Sequence, residues 1–246
     1  MKKIISILLI LLLFCSLSGF DWQTRYYCYE NGKPVTGTQK IDKVKYLFTK
    51  NGRMVGKILP ITYINQWQGV RKKGKWTHTD FPYVRTSNGK LIKYTGCGIT
   101  SCAMAITALR GKLTLPTKFN SIKYGFNGSG SNYNVTELTA KKYKLKGKVQ
   151  NGMTVEKLKK LINKNRYVVV WVTDSIYGGG GNPVGGDIGH GGGHFVLIHG
   201  YWKNKFAVAD PNNTSQTYVW SGKLQKFSSF NDHLGNGRKS YGAIWK

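Results

Sequence analysis

Cys97 stands in Thr-Gly-Cys-Gly-Ile-Thr-Ser, with glycine on both sides. Ile99, Cys102, Ala103, Ile106 and Leu109 follow at helical spacing, and Gly111 supplies a stop. The pattern predicts a helix that begins at or just after the cysteine. A thiol at a helix N-terminus feels the positive end of the helix dipole, which lowers its pKa and enlarges the thiolate fraction. The flanking glycines are expected to let a substrate backbone approach closely. The chemistry these features suit is nucleophilic attack on an acyl carbon. The bland alternative is a buried structural cysteine, and Gly-Cys-Gly at a helix start is a poor place to bury one.

A thiolate needs a partner that holds it charged and later protonates a leaving amine. The five histidines are His78, His190, His194, His199 and His233. His194 opens an apolar run, His-Phe-Val-Leu-Ile-His-Gly-Tyr-Trp, directly after a glycine-rich stretch, which puts an imidazole at a strand end beside an open loop. His199 lies five positions on and faces the other side of that strand. His190 falls inside the loop, and His78 and His233 have no supporting context. The base in turn needs an orienting acceptor. Asp210 ends the run Lys-Phe-Ala-Val-Ala-Asp and precedes Pro211; a turn at Lys203 to Lys205 would bring it beside His194. Asn212 is a nearby substitute. For the oxyanion, the backbone N–H of Cys97 is one donor, and a side-chain amide upstream is a second. Gln66, in Thr-Tyr-Ile-Asn-Gln-Trp-Gln-Gly, is the candidate and Gln68 its rival; position alone does not separate them.

These residues must be held by something larger. Thr154 caps an amphipathic helix, Thr-Val-Glu-Lys-Leu-Lys-Lys-Leu-Ile-Asn-Lys-Asn. Arg-Tyr-Val-Val-Val-Trp-Val reads as a buried strand. The runs from His194, from Lys205 and from Ser215 read as short strands joined by turns, and Tyr241 to Lys246 as a closing strand. Helix first and antiparallel sheet second is an α+β layout. Between Gly178 and Gly193 ten of sixteen residues are glycine, too few apolar side chains to build a core. That segment runs straight into His194 and reads either as a lid or as a slack surface loop.

Ahead of Leu59 the character differs. Tyr-Tyr-Cys-Tyr-Glu-Asn-Gly-Lys-Pro-Val-Thr-Gly from Tyr26 resembles Tyr-Leu-Phe-Thr-Lys-Asn-Gly-Arg-Met-Val-Gly from Tyr46, at an offset of 20 residues. Each copy reads as an aromatic strand, an Asn-Gly turn and a short return strand. Punctuation of this kind is expected to stop at Leu59. At the N-terminus, Lys2 and Lys3 precede an apolar run from Ile4, and small residues Ser16, Ser18 and Gly19 follow. This is the pattern of an export signal over residues 1–19, and the run is short for a membrane anchor. Domains are therefore expected at 1–19, 20–58 and 59–246. Signal removal leaves Cys28, Cys97 and Cys102, an odd set for an exported protein. No cysteine or histidine spacing suits zinc, so no metal and no cofactor is expected.

The net charge is +28, spread along the chain rather than gathered in one helix or tail. That favours adhesion to a polyanionic surrounding such as a wall polymer over sequence reading of nucleic acid, with plain surface charge as the other option.

With these residues in view, the chain from Leu59 resembles the papain-like peptidases of family thirty-nine, which process double-glycine leader peptides, and their secreted relatives. That family runs Gln, then Gly-Cys-Gly-Pro-Thr, then Gly-His-Phe, then Asp-Pro. Here the order is Gln66, Gly-Cys-Gly-Ile-Thr-Ser, Gly-Gly-His-Phe and Val-Ala-Asp-Pro, with Ile99 in place of proline. The resemblance implies a papain-like fold, in which a helix carrying Cys97 packs on an antiparallel sheet carrying His194 and Asp210. It implies Cys97 as nucleophile, His194 as base, Asp210 as orienter and Gln66 as oxyanion donor. The Tyr26 to Gly56 stretch resembles the choline- or glucan-binding hairpin repeat of Gram-positive surface proteins, with Thr38 where that repeat often has tryptophan. A hairpin that merely packs on its neighbour is the alternative. Together these readings lead to the expectation of a secreted, wall-associated cysteine peptidase or amidase. Its expected partners are peptide or peptidoglycan-peptide substrates and anionic wall polymers, with no specific nucleic acid and no transmembrane anchor after signal cleavage. A catalytically silent binding protein on the same fold is the competing reading.

Overall fold

The computed structural model describes residues 21–24, 27–87, 89–127, 130–132, 134–172, 194–203, 205–212, 218–219 and 240–246. The expected signal segment 1–19, Tyr26, the glycine-rich segment 178–193 with His190, and His233 lie outside the described residues. The chain divides into two compact units, 1–58 and 59–246.

The first unit is built of hairpins. β1 (Asp21–Thr24), β2 (Tyr27–Glu30) and β3 (Lys33–Pro34) form one antiparallel set, and β4 (Gly37–Ile41), β5 (Val44–Phe48) and β6 (Met54–Ile58) another. Asn31 and Gly32 take φ of 49° and 71°, the paired positive angles of a two-residue hairpin turn. Asp42 and Lys43 do the same between β4 and β5, at 49° and 68°. The second Asn-Gly pair closes differently. Its hairpin spans Phe48 to Met54 with a register shift, and the Thr49 N–H donates to the Arg53 carbonyl at 2.9 Å. The core of this unit is Cys28, Val35, Ile41, Phe48 and Met54, with Tyr46 packed on it.

The second unit mixes helices with a large antiparallel sheet. It opens with β7 (Ile64–Asn65), β8 (Gly69–Lys72) and β9 (Lys75–Thr77) in a small sheet, so hairpins continue past Leu59, contrary to the expectation. The turn between β8 and β9 is Lys73-Gly74, with φ of 46° and 79°. Lysine rarely adopts that region, which hides the turn from a sequence reading.

Next come α1 (Ile92–Thr95), α2 (Cys97–Arg110), the hairpin β10 (Phe126–Asn127) with β11 (Gly130–Ser131), α3 (Val135–Lys142), β12 (Lys146–Gln150) and α4 (Val155–Asn163). The remaining strands are β13 (Tyr167–Val172), β14 (His194–Trp202), β15 (Lys205–Ala209), β16 (Tyr218–Val219) and β17 (Tyr241–Trp245). Within this unit the sheet order is β12-β17-β13-β14-β15-β16, antiparallel throughout.

Helix α2 is buried continuously from Gly98 to Thr107 and packs on β14, β13 and β17. Its glycine, alanine, serine and threonine side chains are small enough for a helix enclosed on all sides. It ends where Gly111 turns left-handed at φ 68°. Helix α4 starts at the Thr154 cap, whose hydroxyl accepts the Lys157 N–H at 3.2 Å. It packs on β13 and β14 and buries Leu158, Leu161 and Ile162. Val168, Val169 and Val170 of β13 are all buried, so this strand is covered on both faces, as its unbroken apolar run requires.

Candidate active site

His194 is the first residue of β14 and pairs with Val172 of β13. The hairpin from β14 to β15 closes at Trp202 and Lys205, and its last pair is Leu197 with Ala209. Register shifts between Ile198 and Gly200, which leaves His199 as the extra residue of a bulge. Asp210 follows directly, and the structure brings it to His194: Nε2 lies 2.7 Å from Asp210 Oδ1, with the two residues 7% and 2% exposed. That carboxylate oxygen also accepts the Asn212 N–H at 2.8 Å. Asn212 thus supports Asp210 through its backbone. The Asp210 carbonyl accepts the Tyr63 hydroxyl at 2.5 Å, and Asn65 Nδ2 donates to that hydroxyl at 3.2 Å. Asp210 is therefore held at both its side chain and its main chain.

Cys97 is the first residue of α2 and is partly exposed. Its thiol hydrogen-bonds to the His194 side chain and takes backbone hydrogen bonds from Phe195 and Gly98. With Nε2 on Asp210, the remaining ring nitrogen, Nδ1, is the one left for sulfur. Burial pushes the Cys97 pKa up, but the His194 hydrogen bond and charge, with the two N–H groups, carry it below the ordinary thiol value. For His194, burial acts downward; the charge and hydrogen bond of Asp210, aided by Cys97, overcome it and raise the pKa to about 10. Both shifts favour the same state, a thiolate beside an imidazolium.

Gln66 sits in the turn after β7, a strand that packs against α2. Its N–H donates to the Pro211 carbonyl at 2.7 Å, which ties it to the Asp210 segment. Its Nε2 donates to the Lys93 carbonyl of α1 at 2.9 Å, leaving the second amide hydrogen uncommitted by that bond. Gln68, the rival, has its N–H on Asn65 Oδ1 at 3.1 Å. Gln66 is thus linked to both the helix before Cys97 and the segment after Asp210.

The glycines beside Cys97 are also required by packing. A Cβ on Gly98 would overlap Ser131 Cβ and Oγ, and one on Gly96 would lie 2.6 Å from the Ile92 carbonyl. They are small because β11 and α1 press against the helix start. The other described histidines stand apart. His199 Nδ1 donates to the Leu59 carbonyl at 2.7 Å, and burial lowers its pKa to about 4, so it is neutral. Exposed His78 has its Nδ1 3.1 Å from Oγ1 of its neighbour Thr77. Cys102 is fully buried, and burial pushes its thiol up to about 12, against the hydrogen bonds from Thr139 and Thr136. It is inert at neutral pH. Tyr63 and Asn65 were invisible to sequence reasoning, since nothing in a tyrosine marks it as a partner of a residue 147 positions away. Among the described residues, no group of three or more His, Cys, Asp or Glu is arranged to hold a metal, and no helix is long and apolar enough to cross a membrane.

Comparison with known proteins adds the following. Residues 58–237 match the model of the Peptidase C39-like family. A solved C39-like peptidase from Bacillus anthracis is 17% identical, over 61% of this chain and 88% of that one, with a TM-score of 0.40. A double glycine motif protease from an AMS/PCAT transporter, solved with its leader peptide, is 18% identical, over 61% of this chain and 84% of that one, with a TM-score of 0.38. No curated protein matches.

Proposed function

Since the chain belongs to the Peptidase C39-like family, we propose that it is a cysteine peptidase or amidase with a papain-like arrangement in which Cys97, His194, Asp210 and Gln66 carry the reaction. The observation that carries this reading is the linked series thiol, imidazole, carboxylate: Cys97 bonded to His194, and His194 2.7 Å from Asp210. The thiolate adds to the carbonyl carbon of a peptide bond, and the electron pair moves to oxygen. That oxyanion is held by the Cys97 N–H, which has no acceptor within its own helix, and by the Gln66 amide. The tetrahedral adduct collapses as the imidazolium of His194 gives its proton to the departing nitrogen. The amine leaves and the acyl group stays on sulfur as a thioester. Neutral His194 then takes a proton from water as the water attacks the thioester. The acid departs, and thiolate and imidazolium are restored. Asp210 keeps the ring oriented and stabilises its charged form.

The wider reading is a secreted enzyme. Residues 1–19 act as an export signal, 20–58 as a wall-directed hairpin module and 59–246 as the peptidase. Its substrates are peptides or peptidoglycan peptides, and anionic wall polymers hold it in place. The apolar run after Lys2 and Lys3 supports export, the basic charge supports adhesion to a polyanion, and the family membership supports peptide substrates.

The test is product analysis by mass spectrometry after incubation with wall fragments and with a peptide library, wild type against Cys97→Ala. Wild type is expected to cleave, and the variant to lose about 10⁴-fold or more while remaining folded. Cleavage surviving in a folded Cys97→Ala protein would remove the nucleophile assignment. An epoxysuccinyl inhibitor that fails to label Cys97 in the wild type would count against the enzyme reading altogether.

A further inference from the structure

The second unit contains a cleft of about 530 Å³ whose lining includes none of Cys97, His194, Asp210 or Gln66. It falls in the size range of small-molecule sites. Its lining includes apolar Ile61, Val70 and Leu113 and basic Arg71, Lys72, Lys73 and His78, with no acidic residue among the described residues that line it. Three cations, Arg71, Lys72 and Lys73, with His78 beside them as a hydrogen-bonding ring, make a site for negative charge.

Arg71 is the best placed of the four. Its guanidinium lies 4.9 Å over the ring of Trp76, and Trp76 in turn stands 6.1 Å from Tyr63. Its backbone N–H donates to the Tyr63 carbonyl at 2.9 Å. The residue is thereby held at its main chain and at its guanidinium. Yet its Nε is buried and has no hydrogen-bond partner among the described residues. An acceptor bound at Arg71 would satisfy it. A planar guanidinium matches the spaced oxygens of a phosphate. The apolar residues of the lining and the volume suit a carbon skeleton attached to that phosphate better than a bare ion.

We propose that this cleft binds a small organic phosphate, either as a free molecule or as one repeat of a phosphodiester polymer, with Arg71 as its central contact. The inference draws on the wall-polymer reading only for the second source and does not depend on catalysis.

Calorimetric titration of the full chain tests it with four probes: glycerol 3-phosphate, glycerol, inorganic phosphate and a short poly(glycerol phosphate). Glycerol 3-phosphate is expected to bind saturably at one site. Glycerol is expected not to bind, and inorganic phosphate to bind more weakly. A tighter polymer points to the wall as the source, and equal affinity to a free metabolite. Arg71→Gln is expected to weaken binding by about tenfold or more. Because that variant also gives up the Trp76 contact, Lys73→Asn, at an exposed turn position, supplies a second reading, with an expected loss of about threefold. Absence of saturable glycerol 3-phosphate binding, or binding unchanged in both variants, overturns the proposal. Both variants are expected to keep wild-type labelling of Cys97 by a thiol-directed inhibitor. Failure at the cleft is thus distinguishable from failure of the peptidase reading.

Discussion

The Cys97 thiol is hydrogen-bonded to His194, and the proposed mechanism ties the rate to how that pair titrates. Its reactive form has sulfur ionised and imidazole protonated. It exists above the lowered Cys97 pKa and below that of His194, near 10. Alkylation of Cys97 by iodoacetamide is therefore expected to rise with pH through a midpoint below the ordinary thiol range. Hydrolysis, which also needs the imidazolium proton, is expected to fall as pH passes about 10. These midpoints belong to the pair rather than to either group. Asp210→Asn removes the negative charge that raises His194. The imidazolium becomes less stable, so the alkaline limb moves to lower pH. The thiolate loses part of its counterion, so the acid limb moves to higher pH. The window should narrow from both sides, and an Asp210→Asn profile superimposable on wild type would show that the carboxylate does not govern the pair. Cys97, His194 and Asp210 were legible because each sits in a short local motif. Position did not separate Gln66 from Gln68 as the oxyanion donor; the contacts of Gln66 with the Lys93 and Pro211 carbonyls show only how it is held.

The elements that hold these residues were legible to the degree that burial matched periodicity. β13 and β14 announced themselves as apolar runs because they are covered on both faces. Helices α2 and α4 showed their caps. β12, Lys-Gly-Lys-Val-Gln, did not, because it is a half-exposed edge strand with lysines outward and Gly147 pressed against Ala140. The roles of Gly96 and Gly98 also depended on neighbours far along the chain. A sequence reading gives a glycine freedom, whereas here Gly98 supplies absence of volume. The consequence is testable. Gly98→Ala places a methyl group against Ser131, and overpacking of this kind costs about 1–3 kcal/mol. It should also displace β11 or the first turn of α2, and with it Cys97. Chemical denaturation is expected to show the loss in stability, and inhibitor labelling a slower reaction at Cys97. Adding Ser131→Gly should recover much of both, which marks the coupling as direct. If Gly98→Ala is as stable and as reactive as wild type, the contact does not set the helix start.

For the molecule as a whole, the proposed wall association has two candidate origins, the hairpins and the charge. A hairpin repeat of the choline- or glucan-binding type would hold its ligand on open aromatic faces. In the first unit the ring of Tyr46 stacks on Phe48 at a centroid distance of 6.0 Å, and the Lys57 ammonium lies 5.6 Å from its centroid. The protein's own cation already occupies a place where a quaternary ammonium would sit, and Phe48 belongs to the buried core. An aromatic cage at Tyr46 is thus spoken for. The charge of +28 is not, because charges dispersed along the chain act together on any polyanion within reach. Electrostatic adhesion of this kind decays with the screening length, which shrinks from about 10 Å at 0.1 M salt to about 3 Å at 1 M. The protein is therefore expected to bind purified anionic wall polymer at low ionic strength and to elute between those two concentrations. Free choline at equal ionic strength should release no more than sodium chloride does. The reverse outcome, retention at 1 M salt with release by choline or by a glucan oligosaccharide, would return the attachment to the hairpins.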